Sequence, residues 1–267
     1  MKKLFSILLA FTLSLSLVAC SGGEEKANVL KVGASPSPHA EILEAAKEPL
    51  AALGWELEII EFTDYVQPNT ALDAGDLDAN FFQHTPYLNS FNKDYGTDIV
   101  SVAAVHFEPL GIYPGRSSDL ADITDGAVIA VPNDETNEAR ALLLLQQEGI
   151  ITLKDGAGLS ATKLDIIDNP HNVDIYEIEA AQTVNVLADV DFAVINGNYA
   201  VSAGILDTVL TGESSEGEVP DTYANILASR SDNKDSEGVQ ALAKVLNSDE
   251  IRQFINEKYE NLFVPVF

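Results

Sequence analysis

The sequence predicts an α/β fold of two lobes, each a mostly parallel sheet with helices packed against it. Strand-like apolar runs alternate with helical-period segments in a β-α-β-α-β order ahead of residue 105. A second such cycle starts at Val128. Between the two lies residues 106–114, where Pro109, Gly111 and Pro114 around a short extended run suit a connector between lobes. A chain of 267 residues has room for two lobes of about 100–150 residues each.

Taken in order, residues 30–34 read as the first strand. Ser37 is a suitable N-cap and Pro38 suits the first helical position. Ile42, Leu43, Ala46, Leu50 and Leu53 then recur at helical spacing; Pro49 should kink or shorten that helix and Gly54 end it. Residues 57–62 form a second strand, and 71–80 a short helix and turn. These lead into Phe81-Phe82-Gln83-His84-Thr85-Pro86-Tyr87, an aromatic concentration in a chain that is only 7% aromatic. Pro86 breaks a helix and biases Thr85 towards an extended shape, so the stretch reads as a strand end turning into a short loop. Two readings compete for it: a strand entering a core, or one wall of an aromatic pocket. Phe81 and Phe82 alternate along the strand, so only one of them faces a pocket, and Phe82, alongside His84, is the one expected there.

Residues 99–105 are a further strand. In the second cycle 128–132 is a strand, 133–137 supplies capping residues, and 140–148 is a helix body with Gly149 just past its end. Strands follow at 164–168, 173–178 and 191–195, with a helix at 180–187 between the last two. An acidic Gly/Ser-rich loop at 212–220 precedes a strand at 223–230, the natural return crossing. Two helices close the chain, marked by Val239, Leu242, Ala243 and Leu246, then by Ile251, Phe254 and Ile255. Two crossings predict a first lobe of residues 29–112 plus 225–267 and a second of 113–224.

The totals narrow the function. With 46% hydrophobic residues and a mean hydropathy of +0.06, the chain is globular. Its 42 acids against 15 bases give a net charge of −27, which repels nucleic acid and anionic lipid. The single cysteine, Cys20, excludes an intramolecular disulfide. Lys2 and Lys3 precede an uncharged run over 4–18, shorter than the roughly 20 residues that span a bilayer. The run ends in Leu17-Val18-Ala19-Cys20-Ser21-Gly22-Gly23, which resembles a bacterial lipobox. Residues 1–19 are then a signal peptide, Cys20 carries the lipid, and 20–28 form a tether on the extracytoplasmic side of the cell membrane. Removal of the signal leaves 13 bases against 42 acids, a net charge of −29.

Several further segments complete a pattern: Phe62-Thr63-Asp64-Tyr65-Val66-Gln67-Pro68-Asn69, Asp78 through Leu88, Glu108-Pro109-Leu110-Gly111-Ile112-Tyr113, Pro132-Asn133-Asp134, Asn137 through Leu142, and Ile195-Asn196-Gly197-Asn198-Tyr199-Ala200. In this order the chain resembles the NlpA/MetQ family of methionine-binding lipoproteins, the receptors of ABC methionine importers. The resemblance implies a two-lobed periplasmic-binding-protein fold, type II-like, with two crossover strands and a ligand cleft between lobes. It implies that Tyr65, Phe82, His84, Tyr87 and His106 line a side-chain pocket. Arg140 would pair with the ligand carboxylate, and Asn196 and Asn225 would hold the charged end. Implied partners are methionine, a permease and ATPase subunits; no cofactor and no catalytic residue are implied. The residue types suit the task. Sulfur beside aromatic rings gains about 0.3–1.5 kcal/mol per contact, and a forked cation matches a carboxylate.

Alternatives remain from the residues alone. Arg140 could be a solvated helix residue, Asn196 and Asn198 could be turn formers around Gly197, and His106 could be a satisfied core histidine. A methionine-containing dipeptide or another hydrophobic amino acid is the competing ligand. A metal receptor would draw on His39, His84, His106 and His171, but no two of these lie at i, i+3 or i+4. Enzymatic motifs such as G-x-S-x-G or a glycine-rich phosphate loop are absent from the sequence.

Overall fold

The computed structural model describes residues 28–260 and 262–267. The signal peptide, Cys20 and the tether up to residue 27 lie outside the described residues.

The first half of the chain runs β1 (Asn28–Ala34), a one-turn π-type helix (Pro36–Ala40), α1 (Glu41–Ala51), β2 (Trp55–Glu61), α2 (Gln67–Asp73), β3 (Ala79–His84), α3 (Thr85–Tyr95) and β4 (Ile99–Phe107). It crosses to β5 (Gly111–Pro114), β6 (Val128–Pro132) and α4 (Glu135–Gln147). A small antiparallel hairpin, β7 (Thr152–Leu153) and β8 (Ile166–Asp168), precedes β9 (Asp174–Ile178), β10 (Phe192–Ile195), α5 (Gly197–Ser202) and β11 (Thr211–Gly212). After α6 (Val219–Thr222) the chain returns through β12 (Ala224–Arg230) to α7 (Glu237–Leu246), α8 (Asp249–Lys258) and β13 (Val264–Pro265).

Two sheets result, one per lobe. The first has the order β13-β4-β12-β3-β1-β2 and the second β11-β5-β10-β6-β9. Each is mixed rather than mostly parallel. β1 runs parallel to β2 and β3, but β12 re-enters against both β3 and β4. In the second sheet β6 is parallel to β9 and β10, while β5 runs against β10 and β11. The first crossing is therefore residues 108–110 and the second 213–223. Each sheet buries its own apolar cluster. Val32, Leu43, Phe81, Leu242 and Ile255 belong to the first; Ile112, Ile129, Leu142, Phe192 and Val194 belong to the second.

Several expectations from sequence need correction. Ser37 keeps the extended backbone expected ahead of a helix start (φ −139°, ψ 138°), but its hydroxyl makes no capping bond, and a short turn beginning after Ser35 precedes it. Pro49 lies inside α1 without ending it, because Ile42, Leu43, Ala46 and Leu50 bury one face and hold the turn. The 180–187 helix is only a 3-10 turn, Ala180–Gln182.

The informative correction is at the aromatic stretch. Instead of a loop, α3 starts immediately after β3. Pro86 sits in its first turn, where a missing N–H costs nothing. The imidazole of His84 takes the N-cap role, its Nδ1 accepting the Tyr87 amide at 3.1 Å. A proline that breaks a helix from within starts one from its edge.

Candidate functional site

The site lies where the lobes meet and is lined by Tyr65, Phe82, Gln83, His84, Tyr87, Glu108, Asn137, Arg140, Asn196, Gly197, Asn198 and Asn225. β3 supplies its floor. The pairing of β3 with β12 steps from Gln83↔Ile226 to Phe81↔Leu227, leaving Phe82 as the extra residue of a bulge. Bulges re-aim side chains beside functional sites. Here Phe81 is buried in the first lobe's core while Phe82 clusters with Tyr87, Phe91 and Tyr65 at the cavity. Ring centroids in this cluster are 5.7 Å apart for Tyr65–Tyr87, 5.9 Å for Tyr65–Phe82 and 6.1 Å for Phe82–Tyr87. Tyr65 also reaches the second lobe, donating its hydroxyl to Asn198 Oδ1 at 2.6 Å and packing on Tyr199 at 5.1 Å.

The polar end is organised by Asp134 and Asn137. Asp134 caps α4, accepting the Asn137 amide at 3.0 Å. The same carboxylate takes the Asn137 side-chain NH₂ on both oxygens, at 3.0 Å each. That fixes the amide orientation and leaves Asn137 Oδ1 as an acceptor. Three donors converge on it: His84 Nε2 at 3.2 Å, Asn196 Nδ2 at 3.0 Å and Arg140 Nη1 at 3.4 Å. Asn137 thus joins the aromatic stretch of one lobe to the polar residues of the other.

Arg140 is 3% exposed. Its Nε and Nη2 fork onto Glu213 at 2.9 and 2.5 Å, Nη2 also meets the Glu108 carbonyl at 3.2 Å, and its guanidinium stacks 4.2 Å from the Tyr223 ring. Burial opposes its charge, but Glu213 outweighs that and holds the guanidinium above its ordinary value. Glu213 also accepts the Leu110 amide at 2.8 Å, so one carboxylate from the second crossing clasps both the first crossing and Arg140. Nη1, bonded only at 3.4 Å, faces the least competition for a ligand oxygen.

Behind the cavity lies a buried group from three elements. Glu108 Oε1 accepts from His106 Nε2 at 2.8 Å and faces His39 Nε2 at 3.2 Å. His39 Nε2 also meets Asn225 Oδ1 at 3.1 Å. Facing two acceptors, this nitrogen carries the proton, so Nδ1 accepts the Ser35 hydroxyl at 2.5 Å. Burial, partly offset by His39 and Arg140, pushes the Glu108 carboxyl up to about 7. Burial lowers His39 to about 4, and both His84 and His106 to about 3.

Seven of the eight ligand-contact residues expected from sequence line this one cavity. The exception is His106, wholly buried behind Glu108 and packed 5.1 Å from His39 and 5.4 Å from Phe81. Its Nε2 is taken up by Glu108 Oε1 at 2.8 Å, and it is Glu108, two residues on, that lines the cavity. Sequence reasoning missed Asn137, Glu108 and Glu213. Asn137 and Glu108 sit inside the motif segments, so position was the available signal; Glu213 sits in a loop with no pattern. His39, His106 and Glu108 also offer one ligand atom each within 4.8 Å of one another, a grouping that helical spacing could not have found. As they stand, hydrogen bonds among themselves hold them together.

The buried histidines and Glu108 contribute to stability with opposite dependence on pH. The three histidines bind fewer protons folded than unfolded, so their contribution is complete above about 6.5 and is lost as pH falls towards 4 and then 3. Glu108 holds an extra proton when folded between 4.5 and about 7, stabilising the acid side. Three groups outweigh one, since each tenfold change in a group's proton affinity is worth about 1.4 kcal/mol. The melting temperature should therefore fall steadily between pH 7 and pH 4. A flat profile by calorimetry across that range would contradict the burial assigned to these rings.

Comparison with known proteins adds to this geometry. The sequence profile described as NlpA lipoprotein matches residues 30–267. The chain is 42% identical to the membrane lipoprotein TpN32 of Treponema pallidum, over 93% of this chain and 91% of that one. It is 40% identical to the D-methionine-binding lipoprotein MetQ of Salmonella typhimurium, over 96% and 95% respectively. A nutrient binding protein from Burkholderia cenocepacia, solved bound to methionine, superposes with a TM-score of 0.84 at 44% identity, covering 89% of this chain and all of that one.

Proposed function

The chain belongs to the NlpA lipoprotein family, and from that premise we propose that it captures methionine outside the cytoplasm and delivers it to an ABC importer. The observation that carries this is a single cavity with two unlike ends. Tyr65, Phe82 and Tyr87 form an aromatic end, suited to a polarisable thioether. Arg140 with Asn196 and Asn225 forms a polar end drawn from the other lobe and the return strand. Because the two ends come from different lobes, a ligand that satisfies both stabilises the closed arrangement. The hinge for that closure is the pair of crossings at 108–110 and 213–223. The role is transport rather than catalysis, with a permease and ATPase subunits as partners.

A thermal-shift screen of the purified protein tests this against the standard amino acids, methionine-containing dipeptides and divalent metals. Methionine should give the largest stabilisation. Stabilisation by a divalent metal and by no amino acid or peptide would reject the reading and direct attention to His39, His106 and Glu108. The anchor is tested separately. Cys20→Ala should release the protein from membranes, and continued retention would argue for an uncleaved helical anchor instead.

A further inference from the structure

Closing the two lobes brings like charge together. The first lobe, residues 28–107 with 224–267, carries 8 bases against 19 acids, and the second, residues 111–212, carries 4 against 16. Salt weakens that repulsion without abolishing it at short range. Contacts that join the lobes therefore bear on how long a ligand is held.

Within the cavity the lobes are joined by Tyr65 to Asn198 and by His84 to Asn137. A separate contact lies on the rim, formed by residues that do not line the cavity. Glu135, the first residue of α4, reaches across to α3. Its Oε2 accepts the Ser90 hydroxyl at 2.7 Å and lies 3.9 Å from Lys93 Nζ. Ser90 and Lys93 stand about one turn apart on α3, whose opposite face buries Tyr87, Leu88 and Phe91. Among the described residues, Lys93–Glu135 is the one ion pair that joins the lobes away from the crossings. The same two helices carry Tyr87 on one side and Asn137 and Arg140 on the other, so the motion that closes the cavity also seats this contact.

Resting on the capture reading above, we propose that Glu135, Ser90 and Lys93 form a closure latch that slows ligand release without touching the ligand. The Lys93 and Glu135 side chains are 72% and 41% exposed, which sets the scale: an exposed pair changes an equilibrium constant by about fivefold at most.

By calorimetry Glu135→Ala should weaken methionine binding by about fivefold, through faster release rather than slower association. Ser90→Ala should weaken it by about threefold alone and add little in the Glu135→Ala background. Glu135→Lys, which faces Lys93, should weaken binding more than Glu135→Ala does, and adding Lys93→Glu should restore affinity to within about twofold of wild type. Removing an acid from the first turn of α4 also loses a favourable contact with the helix dipole. If that were the whole effect, the Glu135→Ala and Ser90→Ala losses would add and the charge exchange would not rescue; either result would overturn the latch. Unchanged affinity in Glu135→Ala would do the same. Closure itself is read without a ligand by double electron–electron resonance between spin labels on Leu53→Cys and Leu164→Cys, one in each lobe and both exposed. Glu135→Ala should lengthen the mean distance, and identical distributions in the two proteins would overturn the latch. Failure of the wild-type protein to bind methionine would reject the capture reading, and the label distances would then decide the latch alone.

Discussion

Arg140→Ala should weaken methionine binding by about 2–5 kcal/mol, roughly 30-fold to several thousandfold, the scale for truncating one partner of a desolvated charge pair. The setting favours the upper half. The guanidinium is 3% exposed, so water cannot replace it in front of a ligand carboxylate. Its removal also leaves Glu213, with a side chain only 10% exposed, without its cation, so the melting temperature should fall even without ligand. Arg140→Lys should rescue little. A lysine carries the charge but cannot fork onto Glu213 while also meeting the Glu108 carbonyl and Asn137. Calorimetry with methionine checks the affinity and a urea melt checks the stability. Unchanged affinity in Arg140→Ala would remove this residue from the site.

Asn137→Ala is the second large effect, and it tests a residue to which the sequence assigned only a capping role. Its Oδ1 receives His84, Asn196 and Arg140 together. Truncation orphans three donors at once, at about 1–3 kcal/mol for each one left unsatisfied, less whatever entering water recovers. We expect a net loss of about 2–4 kcal/mol in stability and a comparable loss in methionine affinity, because His84 and Arg140 lose their common anchor. Asn137→Asp should not rescue. It would present a second carboxylate to Asp134, where the amide now donates to both oxygens. A denaturant melt within about 0.5 kcal/mol of wild type would show that water fully replaces this amide.

The two substitutions behave differently in combination. Arg140 and Asn137 share a hydrogen bond, so their effects should be less than additive in a double-mutant cycle.

Much of the molecule was legible from residues. Alternating strand and helix periods gave two α/β cycles, and the proline- and glycine-bearing segment after β4 marked the first crossing. The motif order pointed to the family, and that resemblance, rather than the density of rings before Tyr87, decided between a core strand and a pocket wall for the aromatic stretch. These are local properties, carried by spacing and side-chain type within a few residues. What only the tertiary structure decided depends on neighbours distant in the chain. The β12 pairing creates the bulge that turns Phe82 to the cavity, and the β3 edge lets Pro86 start a helix instead of breaking one. Glu213 reaches Arg140 across 73 positions of sequence, which no spacing rule encodes. His39 and His106 meet over Glu108 because a helical turn and a strand from one lobe pack at the crossing. The directions of the Asn137 and Asn196 amides follow from hydrogen-bond partners that exist only once the fold is complete.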